Sequence, residues 1–138
     1  MRIDIEYIKG LLDVILDHDH PDFRIDILGI KPLWFNDDEK LKLLVFHMEI
    51  LEDQNIIESS SSLKGLGFKR MGNGSFSVIL KPLRLTAKGH QFVSDLSKLG
   101  VLKQLKTSFN DIGPSEMVKV VFKLSGKALD KKLSELVR

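Results

Sequence analysis

The chain has no cysteine in 138 residues, which excludes disulfides, a thiolate nucleophile and thiolate zinc sites, and fits a reducing compartment. It also lacks any apolar run near the roughly 20 residues that span a bilayer. Its first residues, Met1-Arg2-Ile3-Asp4-Ile5-Glu6, carry no apolar block of the signal-peptide kind. A soluble, cytoplasmic protein is therefore expected. The spacings of common chemistries are missing too: no Gly-rich phosphate loop precedes a helix, no helical His pair has metalloprotease spacing, and no nucleophile has a base nearby. Neither an enzyme nor a cofactor is expected. His18 and His20, in Asp17-His18-Asp19-His20-Pro21-Asp22, point to opposite sides of an extended segment, and no distant ligand pair completes a zinc spacing, so no metal is expected either.

Acidic residues are scarce in the second half of the chain. Residues 1–62 carry 6 Lys/Arg and 14 Asp/Glu, whereas residues 63–138 carry 15 and 5, so a total of +2 hides halves of −8 and +10. Two outcomes follow from this asymmetry: the halves neutralise each other within one fold, or the basic half presents a face to a polyanion.

The stretch Leu83 to Leu99 organises the rest. Leu83 and Leu85 alternate with Arg84 as in a strand, Thr86 is placed to cap a helix, and Phe92, Val93, Leu96 and Leu99 recur at helical spacing. Before it, Ile3, Tyr7, Ile8, Leu11, Leu12, Ile15 and Leu16 predict an amphipathic first helix, ended by Pro21. Phe23, Ile25 and Ile27 alternate with Arg24 and Asp26 and predict a short strand. Trp34 and Phe35 form either an exposed docking pair or the hydrophobic staple of the next helix, for which Asn36 and Glu39 make a capping box. That central helix has Leu41, Leu44, Val45, Met48 and Leu51 on its core side and stops at Gln54-Asn55, with Asn55 in the left-handed position.

Ser59 to Ser62 make a polar connection. Between Leu63 and Leu85 two strand-like runs flank Met71-Gly72-Asn73-Gly74-Ser75, where Asn-Gly predicts a tight hairpin turn. The hairpin holds Lys64, Lys69, Arg70, Lys81 and Arg84 without one acidic residue, and Lys88 follows directly. Val101, Leu102, Leu105 and Phe109 continue an apolar face. After the break at Asp111-Ile112-Gly113-Pro114, a last helix from Ser115 to Val137 has Met117, Val120, Val121, Leu124, Leu129, Leu133 and Leu136 on one side and five lysines on the other. It is expected to dock on its own domain or on a second copy, giving a homodimer.

The order helix, short strand, helix, hairpin, capped helix is that of a winged helix with a shortened helix-turn-helix. More particularly, Met1-Arg2-Ile3-Asp4, the run from His47 to Ile57, Arg84-Leu85-Thr86-Ala87-Lys88-Gly89-His90-Gln91-Phe92 and Leu102-Lys103-Gln104-Leu105-Lys106 resemble the uncharacterised bacterial and prophage family known as Domain of Unknown Function 2513, over roughly residues 1–106. Asn55, Ala87 and Leu102 depart from the family's usual Gly, aromatic and Trp. The resemblance implies a winged-helix-like fold and, by analogy at fold level, nucleic-acid binding or transcription regulation.

The expectation is thus an α+β protein: a winged-helix-like domain over 1–106 and a C-terminal helical extension over 107–138. The central helix, with Asp37, Asp38, Glu39, Glu49, Glu52 and Asp53 against Lys40 and Lys42, is poorly suited to lie in a major groove between phosphates. The basic hairpin set, Lys64, Lys69, Arg70, Lys81, Arg84 and Lys88, suits DNA phosphates better. The alternative is a protein-interaction adaptor, phage-borne or regulatory, that meets its partner through Trp34, Phe35, Glu49 and Glu52 or through the last helix. His47 and His90 are candidate functional histidines, each equally readable as a packed structural residue.

Overall fold

The first helix, α1 (Ile5–Asp17), starts where the Asp4 carboxylate accepts the Tyr7 backbone N–H at 3.1 Å. Such a cap satisfies one of the free donors of the first turn. The computed structural model describes residues 1–28 and 38–137. Ile8, Leu11, Leu12 and Ile15 of α1 face the core, while Leu16, expected among them, is 47 % exposed at the helix end.

The strand expected over Phe23–Ile27 is a correction. Only Phe23 pairs, exchanging two 2.8 Å backbone hydrogen bonds with Leu83, and the chain then winds into a 3₁₀ turn over Ile25–Leu28. Phe23 and Ile25 still reach the core from this turn, so alternating burial arises without a strand. Trp34, Phe35 and the Asn36 part of the capping box lie outside the described residues.

Helix α2 (Asp38–Asp53) buries Leu41, Leu44, Val45, Met48 and Leu51, as its spacing predicts. Asn55 takes φ 60°, the Ile56 N–H reaches back to the Leu51 carbonyl at 2.8 Å, and the Asn55 N–H reaches that of Glu52 at 2.9 Å. This paired return is the Schellman stop, completed by burial of both Leu51 and Ile56.

Two antiparallel pairings follow. Strand β1 (Ile57–Ser59) pairs with β4 (Leu83–Leu85) in the register Ile57↔Leu85, Glu58↔Arg84, Ser59↔Leu83. Strands β2 (Phe68–Arg70) and β3 (Phe76–Val78) form the hairpin. Its turn has three loop residues: the Met71 N–H meets the Ser75 carbonyl, and of the Asn-Gly pair Gly74, at φ 84°, takes the left-handed position while Asn73 does not. A type I turn followed by a left-handed glycine gives this geometry.

Helix α3 (Ala87–Leu96) begins at Thr86, whose Oγ1 accepts the Gly89 N–H at 2.9 Å. The same hydroxyl donates to the Asn55 carbonyl, which ties the start of α3 to the end of α2. Gly89 lies flat against the chain at Ile56, where any side chain would overlap the Ile56 carbonyl oxygen. The helix stops at Leu96 and Leu99 is 99 % exposed, not core-facing as expected. The Ser97 hydroxyl turns back onto the Val93 carbonyl, competing with a further helical turn.

Helix α4 (Val101–Ser108) and helix α5 (Pro114–Leu136) complete the chain, with proline at the first position of α5 and no interruption at Gly126. The first half of α5 packs on α3 and α4, and Met117, Val118 and Val121 join the same hydrophobic cluster as α1, α2 and the strands. A buried polar knot fixes this docking. The Asp95 Oδ1 accepts from the Ser125 hydroxyl at 2.7 Å and the Gln91 amide at 2.8 Å, and the Lys98 Nζ donates to the Ser125 Oγ at 2.9 Å. Beyond it, Leu129, Leu133 and Leu136 are 47, 51 and 75 % exposed, so the apolar face runs past the edge of the fold.

The result is an α+β fold of several helices with a small antiparallel hairpin, consistent in outline with a winged-helix-like architecture. No helix among the described residues is long and apolar enough to cross a membrane.

Candidate nucleic-acid interface

The six basic residues of the hairpin region occupy three different situations. Arg70 and Arg84 are held by carboxylates of the acidic half. The Arg70 guanidinium makes a two-pronged contact with Glu49 on α2, at 2.9 and 2.6 Å, and lies 5.4 Å over the Phe76 ring. Glu49 therefore holds the Arg70 guanidinium above its usual pKa, and the hairpin is clamped alongside α2. Arg84 meets Glu58 directly across the β1–β4 ladder at 2.7 Å, an opposite-charge cross-strand pair.

Lys81 is half-buried and donates its ammonium protons to backbone, reaching the Leu63 carbonyl at 2.8 Å and that of Lys64 at 3.4 Å. It fastens the loop after the serine run. Of the serines, Ser60 reaches the Asp22 carboxylate at 2.7 Å, and Ser59 and Ser61 bond each other.

Lys64, Lys69 and Lys88 are exposed and make no ion pair among the described residues. Lys69 stands on β2 opposite Ser77, and Lys88 on the first turn of α3. Lys64 instead borders a cleft of about 450 Å³ shared with Glu52, Asp53 and Glu58, so its charge faces acids across the gap.

The acidic residues proposed for a partner differ from each other as well. Glu49 is engaged by Arg70. Glu52 is half-buried, and burial, then the charges of Asp53 and Glu49, push its carboxyl pKa up, with Lys81 opposing weakly.

The two candidate histidines are not brought together. His90 is exposed on α3, whereas His47 is fully buried on α2, its ring 4.6 Å from Tyr7 and edge-on to Phe46 at 5.0 Å. Its Nε2 accepts the Asp4 backbone N–H and its Nδ1 faces the Leu43 carbonyl, an arrangement that requires the neutral ring protonated on Nδ1. Burial pushes its pKa down, against smaller upward pulls from the Leu43 carbonyl and the Asp4 charge. Among the described residues no cluster of three or more His, Asp or Glu is arranged to hold a metal ion.

Sequence reasoning listed the charges but missed which of them meet. Glu49 and Arg70 are 21 residues apart and Glu6 and Lys106 are 100 apart, yet both pairs form. The Asp95–Ser125 knot was missed as well, since nothing in local spacing marks an aspartate on the core side of α3. Comparison with protein-family models, with curated proteins and with solved structures gives no match.

Proposed function

We propose that the chain is a non-enzymatic, winged-helix-like protein of the bacterial and prophage family it resembles, and that it binds nucleic acid through the phosphate backbone, in a role such as transcription regulation. The observation that supports this reading is the exposure of Lys69 on the hairpin and of Lys88 on α3, neither with an acidic partner among the described residues, while Glu49 clamps the hairpin to α2 through Arg70. Arg70 and Arg84 serve the surface by ordering it, and exposed pairs of this kind exchange partners at little cost. With the acidic α2 unsuited to a groove, contacts to phosphate rather than to base edges are expected.

Fluorescence anisotropy with a mixed-sequence DNA duplex tests the reading. Binding at about 50 mM salt, weakening steeply by about 200 mM, is expected, with a loss of tenfold or more on Lys69→Glu combined with Lys88→Glu. Absence of binding at about 50 mM, where phosphate contacts are strongest, rejects it.

A second reading, a protein-interaction adaptor, is favoured by the acidic end of α2, where burial and the charges of Asp53 and Glu49 raise the pKa of the half-buried Glu52. A basic peptide segment is the complementary partner there.

A further inference from the structure

Helix α5 carries a row of lysines that the fold leaves in water. Lys119, Lys123, Lys127 and Lys131 are spaced by four residues and all are exposed. By helix geometry successive lysines of the row rise about 6 Å along the axis and turn about 40° around it, so the row climbs about 18 Å while wrapping about a third of the helix circumference. None of the four makes an ion pair among the described residues. The buried positions Met117, Val118, Val121 and Ser125 occupy the other side of the helix, so the row cannot be covered by the protein's own core. Its base is rigid, since Ser125 is locked to Asp95 and Lys98. Glu116, Asp130 and Glu135 share the wet side; the Glu116 carboxylate folds back against Gly113 at the helix start, and the four lysines outnumber the other two acids.

We infer that this row is a second nucleic-acid contact, a ridge that lies along the phosphate backbone of a duplex; the inference rests on the nucleic-acid reading above and extends it from the hairpin to α5. Successive phosphates of one strand are spaced comparably to the four-residue step of the row, so the four ammonium groups meet them one to each. A linear polyanion fits better than an anionic membrane. Leu129, Leu133 and Leu136, which a bilayer would need to take up, extend the apolar side of α5 and face away from the row.

The test measures duplex binding by anisotropy between about 50 and 200 mM salt for the wild type, for Lys119→Gln/Lys123→Gln/Lys127→Gln/Lys131→Gln, and for the hairpin variant Lys69→Gln/Lys88→Gln. Single Lys131→Gln and Lys132→Gln proteins provide a matched control, because they remove the same charge from adjacent positions on and off the row. Thermal melting confirms that each variant is folded. The expected result is a fall in the log–log salt slope of about 3.6 for the α5 variant, near 0.9 per phosphate contact, with at least tenfold weaker binding at about 100 mM. Lys131→Gln should lower the slope and Lys132→Gln should not. An unchanged slope in the α5 variant, or equal effects of the two single changes, overturns the ridge while leaving the hairpin reading intact. Failure of the wild type to bind duplex overturns both, and binding to phosphatidylserine vesicles in that case assigns the lysines to a membrane instead.

Discussion

His47 and Asp4 are joined across 43 residues of sequence: the backbone N–H at the cap of α1 donates to the Nε2 of a ring buried on α2, at 2.9 Å. Protonation would set an N–H against an N–H there. The folded protein therefore binds that proton more weakly than the unfolded chain, in which the ring has its ordinary pKa of about 6.5. Stability is full above about pH 6.5, declines as pH falls below it, and levels off once the folded-state ring itself is protonated. Urea midpoints at pH 7.5 and 5.5 should differ more for the wild type than for His47→Gln. The substitution His47→Ala, which strands the Asp4 N–H and empties a packed site, should cost about 2–4 kcal/mol at pH 7.5.

Gly89 is required by contact and not by backbone angle. Gly89→Ala drives a methyl group into the Ile56 carbonyl, which also accepts the Thr86 N–H at 3.0 Å. Backbone on both sides leaves little room to yield, and a loss of about 2–3 kcal/mol is expected in chemical denaturation. Lys88→Ala, one residue earlier and exposed, should stay within about 0.5 kcal/mol.

Glu52 is held in an unfavourable charge state at neutral pH, because burial and two acidic neighbours raise its pKa. Its folded form binds a proton more tightly than the unfolded chain, so the charged carboxylate destabilises the fold above its folded-state pKa. Glu52→Gln should raise the urea midpoint at pH 7, and the advantage should disappear as pH falls below the ordinary glutamate range of about 4.3.

The Asp95 carboxylate has three donors converging on one oxygen. Ser125→Ala removes one buried partner and should cost about 1–2 kcal/mol. Asp95→Ala strands the Ser125 hydroxyl and the Gln91 amide and should cost more than Ser125→Ala. A double-mutant cycle between the two should show coupling of at least 0.5 kcal/mol.

Local chemistry was readable from the sequence where one residue type has one use. Asn55 as the left-handed stop of α2, Thr86 as the cap of α3 and Pro114 as the first residue of α5 all take those positions. Periodicity identified faces but could not say whether anything covers them. Leu99, Leu133 and Leu136 keep the spacing of core residues and are solvated, because the helix ends before Leu99 and the fold ends before the leucines of α5. Phe23 and Ile25 show the converse, buried as a strand would bury them but from a turn. The candidate site was the least legible part. Whether a lysine or arginine faces water depends on carboxylates tens of residues away, and Glu49, Glu58 and Glu6 were in place to engage Arg70, Arg84 and Lys106.

The knot at Ser125 divides α5 into two parts with different tolerance to engineering. A cut or insertion between residues 107 and 113 would unseat Met117, Val118 and Val121 and leave Asp95 without its Ser125 donor in an open apolar wound. The turns after Gly126 bear no such weight, so a fluorophore attached to an exposed position there leaves the folded body undisturbed.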